Sequence, residues 1–198
     1  MSGGSDNSAL AGDLESALQQ GASAVLSVGL CGGLEPGLRP GTVILATTIA
    51  DGATHFACDR RWREAIHRKV LVVEGPLAGS DRILDQPKDK TALRAATGAL
   101  AVDLESHIAA RIAIRHALPV CALRVIADGA GHRLPPAVHV AMTAEGTLSL
   151  PRVLGSILRQ PAQIGDLIAT GRRANTAFSS LFRSLRLLGV GFGCPYLG

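Results

Sequence analysis

The amino-acid sequence predicts an α/β domain, and three observations carry that prediction. Apolar runs enriched in Val, Ile and Ala alternate with stretches of helical period. Two of these runs, "ALAV" and "VCALRVIA", flank one helical stretch, a strand, helix, strand unit of about 30 residues that predicts a parallel crossover. The 198 residues, 47% hydrophobic and with 23 glycines, suit a single domain over residues 1–198 with a sizeable core and many tight turns.

Taken in order, residues 8–20 place Leu10, Leu14, Ala17 and Leu18 on one face of an amphipathic helix that Gly21 stops. "AVLSVG" reads as a buried strand running into "LCGGLEPGLRPG", a glycine and proline loop, and "TVILATTIA" follows as a β-branched strand. "HFACDRRWREAIHRK" is too charged for core and reads as a loop with a short helix. "VLVVEGPLAG" is a third strand, and "DQPKDKTALRAATG" a loop feeding a helix that ends at Gly98. "ALAV", a helix from about Leu104 to His116 and, after Pro119, "VCALRVIA" complete the crossover unit. Residues 150–188 carry a helical pattern with Phe178, Leu181, Phe182, Leu185 and Leu188, and residues 189–198 read as an unstructured tail.

The net charge of +4 is unevenly spread. From Pro151 onward six arginines (Arg152, Arg159, Arg172, Arg173, Arg183, Arg186) face one acid, Asp166, so this end carries +5 and the remainder is close to neutral. An aromatic content of 3% argues against a base-stacking nucleic-acid surface. Cys31, Cys58, Cys121 and Cys194 lie far apart, without zinc-site spacing, and read as reduced cytoplasmic thiols, with no metal expected. No signal peptide is visible, and Arg or His interrupts each apolar stretch before the roughly 20 residues of a membrane span. The expectation is a cytoplasmic protein, soluble or at most peripheral to a membrane.

In a sheet of parallel strands, ligands bind where the C-terminal ends of the strands meet loops and helix N-termini. Three features map to that edge: the Gly29 to Gly33 loop, Glu105 after "ALAV", and Asp128 after "VCALRVIA". One pocket could hold all three. The glycine loop is not followed by a helix, which disfavours a dinucleotide site and leaves a tight turn or an anion nest of backbone amides. Asp103 reads as a partner for the helix dipole. Asp128 ends an apolar strand before the flexible "GAG", where burial would raise its pKa and poise it as an acid. His107 and His116 read as surface or satisfied histidines, and no histidine is given a role.

"VGLCGGLEPGLRPGTVILA", "AVDLES" and "RVIADGA", in this order, resemble the purine nucleoside phosphorylase and nucleosidase superfamily, as does the spacing of 23 residues from Glu105 to Asp128. "LAGSDRIL", "AVDLESHIAARIAIRHALPVCALRVIAD", "LPPA" and "ILRQPAQIGDLIATGRRANTAF" are similar to one branch, the hopanoid-associated phosphorylases. The resemblance implies a three-layer αβα fold with a mixed central sheet, this chain starting after the family's first strand. It implies cleavage of a nucleoside N-glycosidic bond, with Asp128 protonating the purine N7 and Glu105 accepting hydrogen bonds from the ribose. Leu104 would pack on the sugar, Ile83, Arg82 and Ala127 would border the base, and Gly29, Leu30, Cys31 and Gly32 would form the nucleophile side. Leu30 and Ala127 stand where the family often has hydroxyl residues.

The implied substrate is adenosylhopane, losing adenine to water or to phosphate as co-substrate, with no cofactor. A methylthioadenosine or adenosylhomocysteine nucleosidase and a non-catalytic nucleoside-binding remnant are the alternatives. A homo-oligomer, a dimer first, is the expected assembly. The basic C-terminal helices, with Arg172, Arg173, Arg183 and Arg186 beside the Phe178 series, could meet a membrane surface or pack on the domain or on a second subunit.

Overall fold

A computed structural model describes residues 7–134 and 164–196. The "LPPA" segment from Pro135, and the start of the C-terminal helical pattern with Arg152 and Arg159, lie outside the described residues. Six strands, β1 (Val25–Gly33), β2 (Val43–Asp51), β3 (Thr54–Ala57), β4 (Val73–Gly79), β5 (Ala101–Asp103) and β6 (Val120–Asp128), form one mixed sheet in the order β3-β2-β4-β5-β1-β6. The helices are α1 (Asn7–Gln19), α2 (Arg60–His67), α3 (Pro87–Thr97), α4 (Ser106–Arg115) and α5 (Ile164–Leu188). The sheet curls until β2 also pairs with β6, antiparallel, matching Val43 with Val125 and Leu45 with Leu123.

The layers follow from alternation along the strands. In β6, Val120, Ala122 and Ile126 join Ala109, Ala110 and Ala113 of α4, with Leu14 and Leu18 of α1 packed against them. Cys121, Leu123 and Val125 turn the other way, to Trp62 and Ile66 of α2 and to Ala177, Leu181 and Leu188 of α5. Helices therefore cover both faces, the three-layer arrangement with a mixed sheet that the resemblance implies.

Four readings are corrected. β5 pairs antiparallel with β1 while β6 pairs parallel with β1, so the β5, α4, β6 unit is not a parallel crossover. Its spacing fits either hand of pairing; the direction is decided by β5 lying parallel to β4, on the far side of β1 from β6. The Gly29 to Gly33 stretch is the end of β1 and not a loop, because Gly29, Leu30 and Cys31 continue the ladder opposite Arg124, Val125 and Ile126. The charged segment after β2 contains a strand: β3 is an edge strand with exposed residues, paired among the described residues with β2 alone. The C-terminal tail is tied down as far as residue 196 by hydrogen bonds: Trp62 Nε1 donates to the Phe192 carbonyl at 3.0 Å, and Tyr196 donates to Asp59 at 2.8 Å.

Two glycines are dictated by close approach. A Cβ on Gly79 would overlap the His107 ring, and one on Gly75 would overlap Leu100. Gly98 closes α3 in the left-handed region, at φ 66°.

Candidate active site

Two charged clusters sit around the C-terminal half of β1. The first is built on Arg124, which lies in the middle of β6 and is 3% exposed. A guanidinium in a buried strand needs acceptors on all sides, since an unpaired buried charge is costly. Arg124 reaches Asp103 Oδ2 at 2.5 Å, Ser106 Oγ at 3.1 Å and Ser27 Oγ, and its terminal nitrogen lies 3.6 Å from Glu105 Oε2. Gly29 stands opposite in the ladder, and a Cβ there would collide with the guanidinium. Asp103 also accepts from the Ser106 backbone N–H at 3.0 Å and from the Ser106 hydroxyl at 2.8 Å. It is thus the helix-start partner expected for α4, and beyond that the counter-ion of Arg124. Glu105 keeps about half of its side chain open, at 47%. One carboxylate is locked by the arginine; the next faces outward with its orientation guided by the same arginine.

The second cluster is built on Asp128, the last residue of β6 and 8% exposed. A register shift between Cys31 and Gly32 skips Ala127, so Asp128 stands opposite Gly32. Such irregularities re-aim a side chain at the end of a ladder. A Cβ on Gly32 would lie 3.5 Å from Asp128 Oδ1 and 3.6 Å from Val102, so the missing side chain keeps the carboxylate face clear. Burial pushes the Asp128 carboxyl above the ordinary carboxylate range, against the lowering effect of Lys90, His132 and Arg173. Lys90 of α3 donates to Asp128 Oδ2, to the Gly129 carbonyl at 3.0 Å and to the His132 carbonyl at 3.3 Å.

Between the clusters lies Cys31, 5% exposed, whose thiol is pushed up by burial and feels Arg124, Asp103 and Asp128. The remaining expected residues divide. Leu104 and Ile83 are half-buried, Leu104 beside Glu105 and Ile83 in the loop between β4 and α3, and Arg82 is exposed in that loop. The side chains of Leu30 and Ala127 are partly buried against the cluster under α2 and α5. A cleft of about 580 Å³ opens between residues 34–40, α3 and residues 129–132, adjoining Asp128 through Gly129 while lined by neither carboxylate. His107, read as a surface or satisfied residue, is 2% exposed, with Nε2 3.2 Å from Asp81 and Nδ1 unpartnered among the described residues.

Lys90, Arg124, Ser106 and Ser27 escaped the sequence reading. Arg124 carried a signal, a charge inside an apolar strand. Lys90 carried none, because Lys88 and Asp89 beside it make the segment look solvated.

The class so defined is a three-layer α/β domain whose mixed sheet delivers a buried aspartate at a strand end and an arginine-held glutamate at a helix start. Residues 4–159 match the Phosphorylase superfamily, and the chain belongs to it. Among solved structures it is similar to the 5′-methylthioadenosine/S-adenosylhomocysteine nucleosidase of Streptococcus pneumoniae in complex with 8-aminoadenine, at 18% identity and a TM-score of 0.58 over 90% of this chain and 77% of that one. The 5′-methylthioadenosine/S-adenosylhomocysteine nucleosidase of Helicobacter pylori aligns at 16% identity and a TM-score of 0.58, over 88% and 73%. A futalosine hydrolase mutant of Helicobacter pylori aligns at 18% identity and 0.55, over 59% of this chain and 64% of that chain, less than two thirds of its length. No curated protein matches the sequence.

Proposed function

We propose that the protein cleaves the N-glycosidic bond of an adenine nucleoside, with Asp128 as general acid at the purine N7 and Glu105 as acceptor for the ribose hydroxyls. The observation that carries this reading is the burial of Asp128 at the end of β6, which favours the protonated carboxyl a leaving base requires. As the bond breaks, its electron pair passes to the base, N7 takes the proton of Asp128, and the ribose becomes cationic at the anomeric carbon. Glu105, kept beside Arg124, is free to meet the sugar while Asp103 absorbs most of the arginine's charge. Leu104 would pack on the sugar, and Ile83 and Arg82 would border the base. Water or phosphate then attacks the anomeric carbon.

The substrate proposed is adenosylhopane. The outer face of α5 supports a lipid substrate: Phe178, Phe182 and Leu187 are 46%, 60% and 54% exposed, and Arg183 and Arg186 are exposed among them. Apolar side chains edged by arginines suit an anionic lipid surface, while a twofold contact between two such faces would oppose the arginines. Among the described residues no helix is long and apolar enough to cross a membrane. The test is adenine release from adenosylhopane with and without phosphate, beside 5′-methylthioadenosine and S-adenosylhomocysteine. Release from the lipid nucleoside supports the proposal. Release from the soluble thioethers alone selects a nucleosidase of the kind solved from Streptococcus pneumoniae, and binding without release selects a non-catalytic remnant.

A further inference from the structure

Lys90 is the buried residue of α3, 1% exposed, in a helix whose other charged side chains reach solvent. Its ammonium has three protons, and three acceptors meet it: Asp128 Oδ2 and the carbonyls of Gly129 and His132. Burying an ammonium so completely is costly unless each proton is matched, and here the match fastens the end of β6 and the loop after it onto α3. The lysine engages one oxygen of Asp128. The other, Oδ1, lies nearest the side-chain position that Gly32 leaves unfilled, 3.5 Å from where a Cβ would stand, with Oδ2 at 3.7 Å. The remaining titratable or charged groups that act on Asp128 are His132 in the following loop, Arg173 of α5 and the Cys31 thiol of β1.

We propose that Lys90 is the positioning residue for Asp128: it holds Oδ2, leaves Oδ1 to the imidazole edge of the base, and supplies the counter-charge for the carboxylate left when the proton has gone. The inference rests on the base-release reading above. In the step, the Oδ1 proton passes to N7 while the electron pair of the glycosidic bond moves to the base. Oxygen of water or phosphate forms the new bond to the anomeric carbon. Lys90 keeps all its protons and neutralises the new carboxylate, which is reprotonated from water once the base departs. A carboxylate produced in a buried site without that ammonium would be disfavoured, so the lysine makes the acid stronger as well as fixing its geometry.

The experiment compares wild type with Lys90→Met and Lys90→Arg, following adenine release from adenosylhopane and from 5′-methylthioadenosine against pH and the 13C carboxyl resonance of Asp128 against pH. In Lys90→Met the Asp128 titration is expected to move upward by about 1 to 3 pH units. The descending limb of kcat/KM should follow it, and the low-pH plateau should fall about 10- to 100-fold. Lys90→Arg keeps the charge and should hold the titration near its wild-type position. A folded Lys90→Met protein in which Asp128 titrates as in wild type overturns the proposal. The carboxyl resonance is independent of turnover, so a displaced titration in a protein that releases adenine from neither nucleoside refutes the base-release reading and supports the hold of Lys90 on Asp128. Should Lys90→Met fail to fold, the wild-type 15N resonance of the Lys90 ammonium decides: a shift that tracks the Asp128 titration supports the pairing, and one indifferent to it overturns it.

Discussion

Replacing Asp128 with Asn preserves the size of the side chain and removes the transferable proton. Base release should fall by about 10² to 10⁴ with the fold retained, checked by adenine release beside circular dichroism. The wild-type pH profile has a definite sign. Burial raises the Asp128 carboxyl, and the protonated form does the work, so activity is kept below that titration point and lost as pH rises through it. Arg124 plays a different part. Arg124→Met leaves Asp103 as a buried charge without its partner, which should cost about 3 to 5 kcal/mol in urea unfolding, far more than an exposed pair such as Arg60 with Glu64 contributes. The cysteines give a further check. Burial pushes the Cys58 thiol up to about 12, and Cys31 and Cys121 also rise, whereas Cys194 is half-buried near the C-terminus. Native protein should expose Cys194 alone to a thiol reagent, with the other three reacting on unfolding.

At the scale of elements, Asp59 joins two of them with one carboxylate. Oδ1 accepts the Trp62 backbone N–H at 2.8 Å, capping α2, while Oδ2 accepts the Tyr196 hydroxyl at 2.8 Å. Asp59→Ala should cost about 0.5 to 2 kcal/mol through the lost cap alone, and should also make the last residues more accessible to protease than Tyr196→Phe plus a neutral cap would. Here the sequence was readable in part. Five of the six strands were legible as apolar runs and the end of α3 as Gly98, because those signals are local, while β3 was hidden by its charged surroundings. Strand direction was not: nothing in "ALAV" says that it will insert between β4 and β1 and run against β1. The order of the tail was hidden for the same reason, since "GVGFGCPYLG" gains its structure from Trp62 and Asp59, more than 120 residues away. In the candidate site Asp128 and Glu105 stood out by position at the ends of an apolar strand and before a helix. Their partners Lys90 and Arg124 come from a distant helix and from the strand interior, so only the arginine left a trace.

For the whole molecule, α5 presents a buried face and an exposed apolar one on one helix. Ala177, Leu181 and Leu188 are buried against the sheet, which settles those residues as core, and Phe178 and Phe182 stack on each other on the outer side, ring centroids 6.4 Å apart. Substituting both phenylalanines with Ser should therefore leave thermal stability nearly unchanged. The same double substitution should reduce sedimentation with phosphatidylglycerol vesicles, and raised salt should weaken the remaining binding. Adenine release from a soluble nucleoside should be unaffected, since Asp128 and Glu105 lie on other elements.

The pairing that curls the sheet has a consequence for how the chain is made. β1 finds its parallel neighbour, and β2 a third partner beyond β3 and β4, only in residues 120–128, roughly a hundred positions downstream for the former. A ribosome delivering the protein in order must release most of the chain before β1 gains its long partner and the Val43–Leu45 end of β2 is paired with β6, so nascent intermediates stay sticky for much of synthesis. Chaperone demand during translation would then track how late β6 emerges rather than how stable the finished domain is.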